Sequence, residues 1–441
     1  MVFPALERIP ILLVVPILWS VGWIARPHAP LPSTPLNTLM LVLMIMVLVS
    51  VLVTPDLVFS MPRVAGMVLA FATFFGMARE ARRPVGLWLL LALFLAIGLA
   101  IAAFSLVNTN WPVKVGILAS VASHLSPRLV GVIGIEGPFN PNQMAGSLLW
   151  VAPVLICLPV GLVMTVRPRA GGAAARPVYW LVRFFLLVLV IITALPVMAV
   201  LALSQSRGAY IALLLAFIVI LYLALSRRTR WIMAAMLMIT AVATLLVAWP
   251  RRDALAQQLG FRIDAAAPSA DGLDTLDGRL EIWSRAIYGI EDFPFTGMGM
   301  NSFRRVVNVL YPLFLIGPNT DIAHAHNEFL QAALDLGLPG MIAFGALYLV
   351  AFWMLRNIWI MSANYPMNRA LALGFGGGLF AHFIFGMGDA VALGSKPGVL
   401  FWMLLGLICG LFTQCGRSAV IGTMPLEATH AASAPTAHRP F

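Results

Sequence analysis

Three residues with chemical potential stand together in Ala323-His324-Ala325-His326-Asn327-Glu328-Phe329-Leu330. An imidazole titrates near neutral pH, so it can take and return a proton under mild conditions. His326 falls at the start of a predicted helix, where the helix dipole suits a neutral ring that accepts a proton from a hydroxyl nucleophile. The plainer alternative is a helix-capping or interfacial histidine. The amide of Asn327 suits a sugar or a phosphate. His324 lies two residues before His326, so a His-x-His metal site is conceivable, with Asp321 adding a carboxylate. No third strong ligand follows at a usual spacing, and no metal is expected.

Two arginines stand out. Arg207 lies in the tight turn Ser204-Gln205-Ser206-Arg207-Gly208, between two long apolar segments. Its planar guanidinium matches a lipid diphosphate, although charge at a membrane boundary is often only an anchor. Arg279 comes one residue into the helix that Gly278 begins. A cation is a poor match for a helix start, which hints at a ligand that brings negative charge. The alternative there is a surface salt bridge with Glu281 or Asp277.

Asn140 and Asn142 open an apolar helix in Phe139-Asn140-Pro141-Asn142, where they can cap exposed N–H groups or meet a substrate. Asp389, at the outer end of another apolar segment, is a further substrate-binding candidate unless it pairs with Lys396.

The elements that must position these groups are membrane helices. Of 441 residues, 61% are hydrophobic and only 10% charged, with mean hydropathy +0.95. An ordinary soluble domain carries about 25% charged residues. Apolar runs long enough to cross a bilayer recur throughout, and the short alternating strands of a barrel are absent. Spans are expected near 9–25, 37–54, 62–78, 86–106, 142–166, 178–203, 209–225, 231–249, 341–361, 370–388 and 398–415. Residues 113–135 are a possible additional span.

The count decides orientation. With eleven spans Arg79, Arg82 and Arg83 fall in the cytoplasm; with the additional one they fall outside. Both counts put the basic connections at Arg167, Arg169, Arg176 and at Arg227, Arg228, Arg230 inside. Both therefore put the Arg207 turn and the long polar stretch outside.

That stretch, residues 250–340, separates an N-terminal membrane region (1–249) from a C-terminal one (341–415) and a tail (416–441) expected to be cytoplasmic and disordered. It holds 11 of the 17 acidic residues but only 7 of the 28 basic ones. The basic excess elsewhere, within a net charge of +11, reads as topology and contact with anionic membrane lipids rather than nucleic-acid binding. Within the stretch, 264–277 looks mobile. Leu280, Trp283, Ile287 and Ile290 then recur at helical spacing, predicting an amphipathic helix with those residues inward. A short helix from Ser302 to Leu310 and another from near His326 to Gly337 follow. Cys157, Cys409 and Cys415 form neither a disulfide framework nor a metal motif.

In order along the chain, Phe139-Asn140-Pro141-Asn142-x-x-Ala145, Ser206-Arg207-Gly208-Ala209, Gly278-Arg279-Leu280-Glu281-Ile282-Trp283 with Pro294-x-x-Gly297-x-Gly299, and His326-Asn327 followed by Gly337-x-x-Gly340 form a pattern. It resembles the O-antigen ligase family, within the wider ligase and polymerase superfamily, over roughly residues 35 to 415. The resemblance implies a GT-C-type glycosyltransferase with about 12 membrane helices, both termini cytoplasmic, and one large periplasmic helical loop. It implies a Gram-negative inner-membrane enzyme that moves polysaccharide from undecaprenyl diphosphate to a sugar hydroxyl of lipid A–core. Inversion at the anomeric carbon, no cofactor and no metal are expected. His326 would be the base, with Arg207 and Arg279 on the diphosphate. Rival readings are an O-antigen polymerase, a protein O-oligosaccharyltransferase and, in a different class, a lipid-glycan transporter.

Overall fold

The computed structural model describes residues 31–112, 137–165, 175–248, 276–317, 320–391 and 393–423, together with residues 121, 124, 125 and 127. Among these the regular structure is helical, with one isolated bridge between Thr109 and Phe139. In chain order the helices are α1 (Asn37–Val53), α2 (Leu57–Glu80), α3 (Pro84–Asn108), α4 (Pro141–Leu148), α5 (Ala152–Thr165), α6 (Ala175–Leu203) and α7 (Arg207–Ala224). They continue with α8 (Arg227–Ala248), α9 (Leu276–Asp292), α10 (Phe303–Leu310), α11 (Glu328–Met361), α12 (Pro366–Gly386) and α13 (Val399–Thr423). Eight helical stretches among the described residues are long and apolar enough to cross a membrane. The chain is an all-helical, multi-pass membrane protein.

The helices run alternately toward and away from the end of the bundle that carries His326. Thr54, just after α1, bonds Ser302 at 3.0 Å, and Ser50 accepts the Met300 N–H at 2.8 Å, so α1 finishes at that end. The 24 residues of α2 then travel roughly 36 Å away from it. Arg79, Arg82 and Arg83 therefore lie at the opposite end, where Arg82 donates to the Ser33 carbonyl at 2.5 Å. The basic turn between α7 and α8 lies at that same far end.

Residues 113–135 are the possible additional span. That segment falls almost wholly outside the described residues, but its two ends are side by side. Phe139 N–H donates to the Asn108 carbonyl at 2.8 Å, and Asn108 Nδ2 donates to the Gly137 carbonyl at 3.2 Å. The chain leaves α3 and enters α4 on one face. The expected span at 9–25 and most of the mobile stretch 264–277 lie outside the described residues.

Small residues let the helices approach closely, the usual packing device where lipid and protein are equally apolar. A Cβ on Gly378 of α12 would come within 2.7 Å of the Trp150 carbonyl oxygen, and one on Gly406 of α13 within 2.4 Å of the Met77 Cβ. The three cysteines are buried and free. The expected tail begins later than residue 416, because α13 continues to Thr423.

The polar stretch forms its own small core from Ile282, Ala286, Met298, Phe303, Val307, Ile316, Ile322 and Leu334. The amphipathic helix is present as α9, but its inward face is shifted from the expected one. Gly278, Glu281, Ile282, Ala286 and Gly289 are buried, whereas Leu280 and Ile287 are 48% and 45% exposed. The reason is Glu281. Its carboxylate accepts the N–H groups of Phe314 (2.6 Å), Leu315 (2.9 Å) and Ile316 (3.2 Å) and so turns that face inward.

Near the expected boundary at Gly340 the helix is interrupted. α11 starts at Glu328 and is two helices meeting at a kink at Gly337, whose φ of 68° is left-handed, as expected of a helix that ends at Gly337 before Pro339 opens the next. Gly297, at φ 66°, lies against that break. Met298 N–H donates to the Leu334 carbonyl and Leu338 N–H to the Pro294 carbonyl, each at 2.7 Å. A Cβ on Gly297 would sit 2.6 Å from the Gly337 nitrogen, so both positions need glycine for conformation and for space.

Candidate active site

Asn327 is the N-cap of α11. Its Oδ1 accepts the N–H groups of Phe329 (3.0 Å) and Leu330 (3.1 Å), and its Nδ2 donates to the Met387 carbonyl at 3.0 Å. Both ends of the amide thus serve the fold. The cap fixes where the chain leaves the helix, and His326 precedes it at φ 47°. Such a backbone costs about 1 to 3 kcal/mol in a non-glycine residue and persists only when neighbours hold it. Here Trp283 Nε1 donates to the His326 carbonyl at 3.3 Å, and Gln331 Oε1 accepts the Ala325 N–H at 2.8 Å. Gln331 is held in turn by Asp335 at 2.9 Å, and Asp335 also accepts the Asn301 N–H at 2.9 Å.

The two imidazoles lie 4.5 Å apart, centroid to centroid, and both face Asp389. Asp389 Oδ1 is 3.3 Å from His326 Nδ1 and 3.8 Å from His324 Nε2. Asp389 therefore serves the histidines and not Lys396. The His326 approach is at ion-pair distance but out of hydrogen-bond alignment, leaving Nδ1 buried without a formed bond. Catalytic hydrogen bonds are commonly loose without substrate and tighten with it. His324 Nδ1 accepts the His326 N–H at 3.2 Å, which puts the His324 proton on Nε2, toward the carboxylate. Asp389 lies on the Nδ1 side of the His326 ring.

Burial lowers His324 from 6.5 to about 4; Asp389 opposes the shift, and the positive charges of His326, Arg63 and Arg279 reinforce it. Burial alone would raise Asp389. The His326 interaction and the charges of His324, His326 and Arg279 outweigh it and hold the carboxyl below its ordinary range.

The short turn after α12 that carries Asp389 is gripped from several sides. Besides the Asn327 bond, Arg279 donates an Nη1 hydrogen to the Gly388 carbonyl. The surface salt bridge considered for Arg279 does not form with Glu281, which pairs with Arg285 at 3.6 Å. Arg207 is exposed at the start of α7, and a Cβ on Gly208 beside it would lie 3.7 Å from Phe385. Phe385 accepts the Asp389 N–H at 3.0 Å. α4 reaches the same place: a Cβ on Gly146 would meet Phe385 at 2.4 Å and Val391 at 3.0 Å. The four sequence motifs thus converge on one turn. Asn140 is used as a cap, accepting from Asn142 N–H (2.9 Å) and Gln143 N–H (3.1 Å). No described contact joins Asn140, Asn142 or Arg207 directly to the histidines.

Asp321, the third metal ligand considered from sequence, is paired with Arg304. Asp389 supplies that third donor instead: with His324 and His326 it forms a set whose donor atoms lie within 4.8 Å of one another. Three such ligands with an open position suit a divalent cation of the zinc type, which would compete with the proton for the imidazole lone pairs.

Residues 187–345 match the family model described as O-antigen ligase. That segment of the chain is similar to the O-antigen ligase family. The comparison with curated proteins finds none that matches. The O-antigen ligase segment contains Arg207, Arg279, His324 and His326 and stops short of Asp389, so the carboxylate reaches this site through the fold. The match supports a coarse function of ligase or polymerase type, with lipid-linked glycan and membrane substrates in general.

Trp283, Gln331, Asp335 and Arg63 were not picked out as site residues from the sequence. Asn327, Gln331 and Asp335 recur every four residues, and that spacing was the available signal for two of them. Arg63 interrupts an apolar helix, another legible sign.

Proposed function

We propose that this protein is an O-antigen ligase. It transfers polysaccharide from undecaprenyl diphosphate to a sugar hydroxyl of lipid A–core at the periplasmic face of the inner membrane. One observation carries this reading: the Asp389 turn gathers His326, Arg279 and the Arg207 helix at one end of a membrane bundle. Orientation follows from charge. Arg79, Arg82, Arg83 and Arg227, Arg228, Arg230 lie at the other end, which the positive-inside rule assigns to the cytoplasm.

His326 Nε2 takes the proton of the acceptor hydroxyl, and Asp389 on the Nδ1 side steadies the imidazolium that forms. The acceptor oxygen bonds to the anomeric carbon from the face opposite the diphosphate. The bond from that carbon to the diphosphate oxygen breaks, and the leaving group departs with the electron pair. The remaining donors of Arg279 and the exposed guanidinium of Arg207 neutralise its charge. The proton on His326 then passes to solvent or to the departing diphosphate.

The reading needs no metal, so chelation by EDTA leaves transfer unchanged. Loss on chelation with recovery on adding zinc would instead assign the His324, His326 and Asp389 set to a cation. The principal test is a lipopolysaccharide gel from a strain lacking the gene, complemented with wild type or His326→Ala. The ligase reading expects bare lipid A–core and long glycan accumulating on undecaprenyl diphosphate in both the null and the mutant. Core bearing a single repeat unit would make the protein the polymerase. An unchanged ladder in the null would remove both.

A further inference from the structure

Two residues after His326, Glu328 opens α11 and turns away from solvent. It is 3% exposed, and its Oε2 accepts the Val391 N–H at 2.8 Å. Val391 follows Asp389 by two residues, and the Ala390 N–H between them donates to Asp389 Oδ1 at 2.9 Å. The aspartate turn is therefore held at both sides: by Asn327 and Arg279 on Met387 and Gly388, and by Glu328 on Val391. A Cβ on Gly386 would lie 3.1 Å from the Glu328 Cβ, so the bare glycine lets the carboxylate come this close.

Behind Glu328 is a cavity of about 10 Å³, lined by Trp150, Tyr348, His382, Phe401 and Trp402 among others. That is room for a single water. His382 is 1% exposed, stacks on Trp150 at 4.0 Å, and is bonded through Nδ1 to the Tyr348 hydroxyl at 3.0 Å. Its Nε2 has no hydrogen-bond partner and lies 4.0 Å from Glu328 Oε2. A buried polar atom left unpaired is destabilising, and a bridging water in this cavity satisfies both groups.

We propose that Glu328 is a positioning residue for the transfer reaction. It fixes Asp389 against His326 by holding the Val391 N–H, and a water shared with His382 holds Glu328 in turn. The inference rests on the ligase reading, and it gives the polar residue next to the His-Asn pair a role that does not touch substrate. No charge on Glu328 is needed for this role, only an acceptor oxygen at the right point.

The test is glycan transfer to lipid A–core by the purified full-length protein, comparing wild type, His326→Ala, Glu328→Gln, Glu328→Met and Asp389→Ala. Gln keeps the acceptor oxygen, and Met keeps the volume without it. The expected result is kcat for Glu328→Gln within about fivefold of wild type. Glu328→Met lowers kcat by about tenfold to a hundredfold, as a displaced catalytic group does, with KM little changed. In the Asp389→Ala background Glu328→Met adds no further loss, because its effect runs through Asp389.

Normal kcat in Glu328→Met, equal loss in Glu328→Gln, or full additivity with Asp389→Ala would each overturn the proposal. Should Glu328→Met not fold, hydrogen exchange at Val391 in Glu328→Gln decides: protection retained supports the clamp, and protection lost removes it. If wild type itself transfers no glycan, the ligase reading falls first, which separates the two failures.

Discussion

The polar stretch and the short turn after α12 make opposite impressions in sequence and nearly equal contributions to the site. The stretch concentrates charge and brings the histidine pair, Trp283 and Arg279. The turn is a few residues long, yet it carries Asp389 and receives bonds from Asn327, Arg279 and Glu328. One region supplies the histidines and Arg279; the other supplies the carboxylate that faces those histidines. Polar content shows where a membrane protein keeps its reactive side chains. Which carboxylate orders them is set by packing between helices distant in the chain.

The two regions can be separated by substitution, beginning with the largest effect. His326→Ala removes the base itself, and glycan transfer falls by about a hundredfold to ten thousandfold, read by in vitro transfer with protein of normal yield. Asp389→Asn keeps the shape of the turn but removes its charge, lowering kcat by about tenfold to a hundredfold. Asp321→Asn, on the polar stretch and paired with Arg304, leaves kcat near wild type. If the two Asn variants were equally impaired, the division between regions would fail.

Asn327→Ala breaks the join between regions. Loss of the cap alone costs about 1 kcal/mol, seen as a lower unfolding temperature in detergent, and the lost Met387 bond adds a fall in kcat. The smallest effect concerns His324. Its pKa is depressed from 6.5 in the unfolded chain to about 4 in the fold, so the unfolded state binds more protons between those values. Stability is therefore held above pH 6.5 and declines as pH falls toward 4. His324→Gln flattens that decline, and thermal unfolding of both proteins from pH 7 to 4.5 checks it.

Much of the fold was legible because membrane helices declare themselves by length and apolarity. The short helix expected from Ser302 to Leu310 appears as Phe303–Leu310, with Ser302 at the N-cap position but making no side-chain capping bond. The inward face of α9 was misread, since hydrophobic spacing cannot show that Glu281 is drawn inside by three backbone N–H groups. At 113–135 hydropathy reports only that a segment is apolar, and the Asn108–Phe139 contact shows where the flanking helices meet. His326, Arg279 and Arg207 could be picked out because charge or imidazole is rare in such a chain. The meeting of Asp389 with His326 spans more than sixty residues and a helix reversal, and no local pattern encodes it.

The left-handed backbone at His326 has a further consequence. A side chain there is bent against its own preference, so the native histidine holds the protein below the stability this position allows. Glycine adopts the same conformation without the steric penalty. A His326→Gly protein would lack the base yet unfold at a temperature at least equal to that of His326→Ala. If His326 is the base proposed above, robustness and activity pull this position in opposite directions.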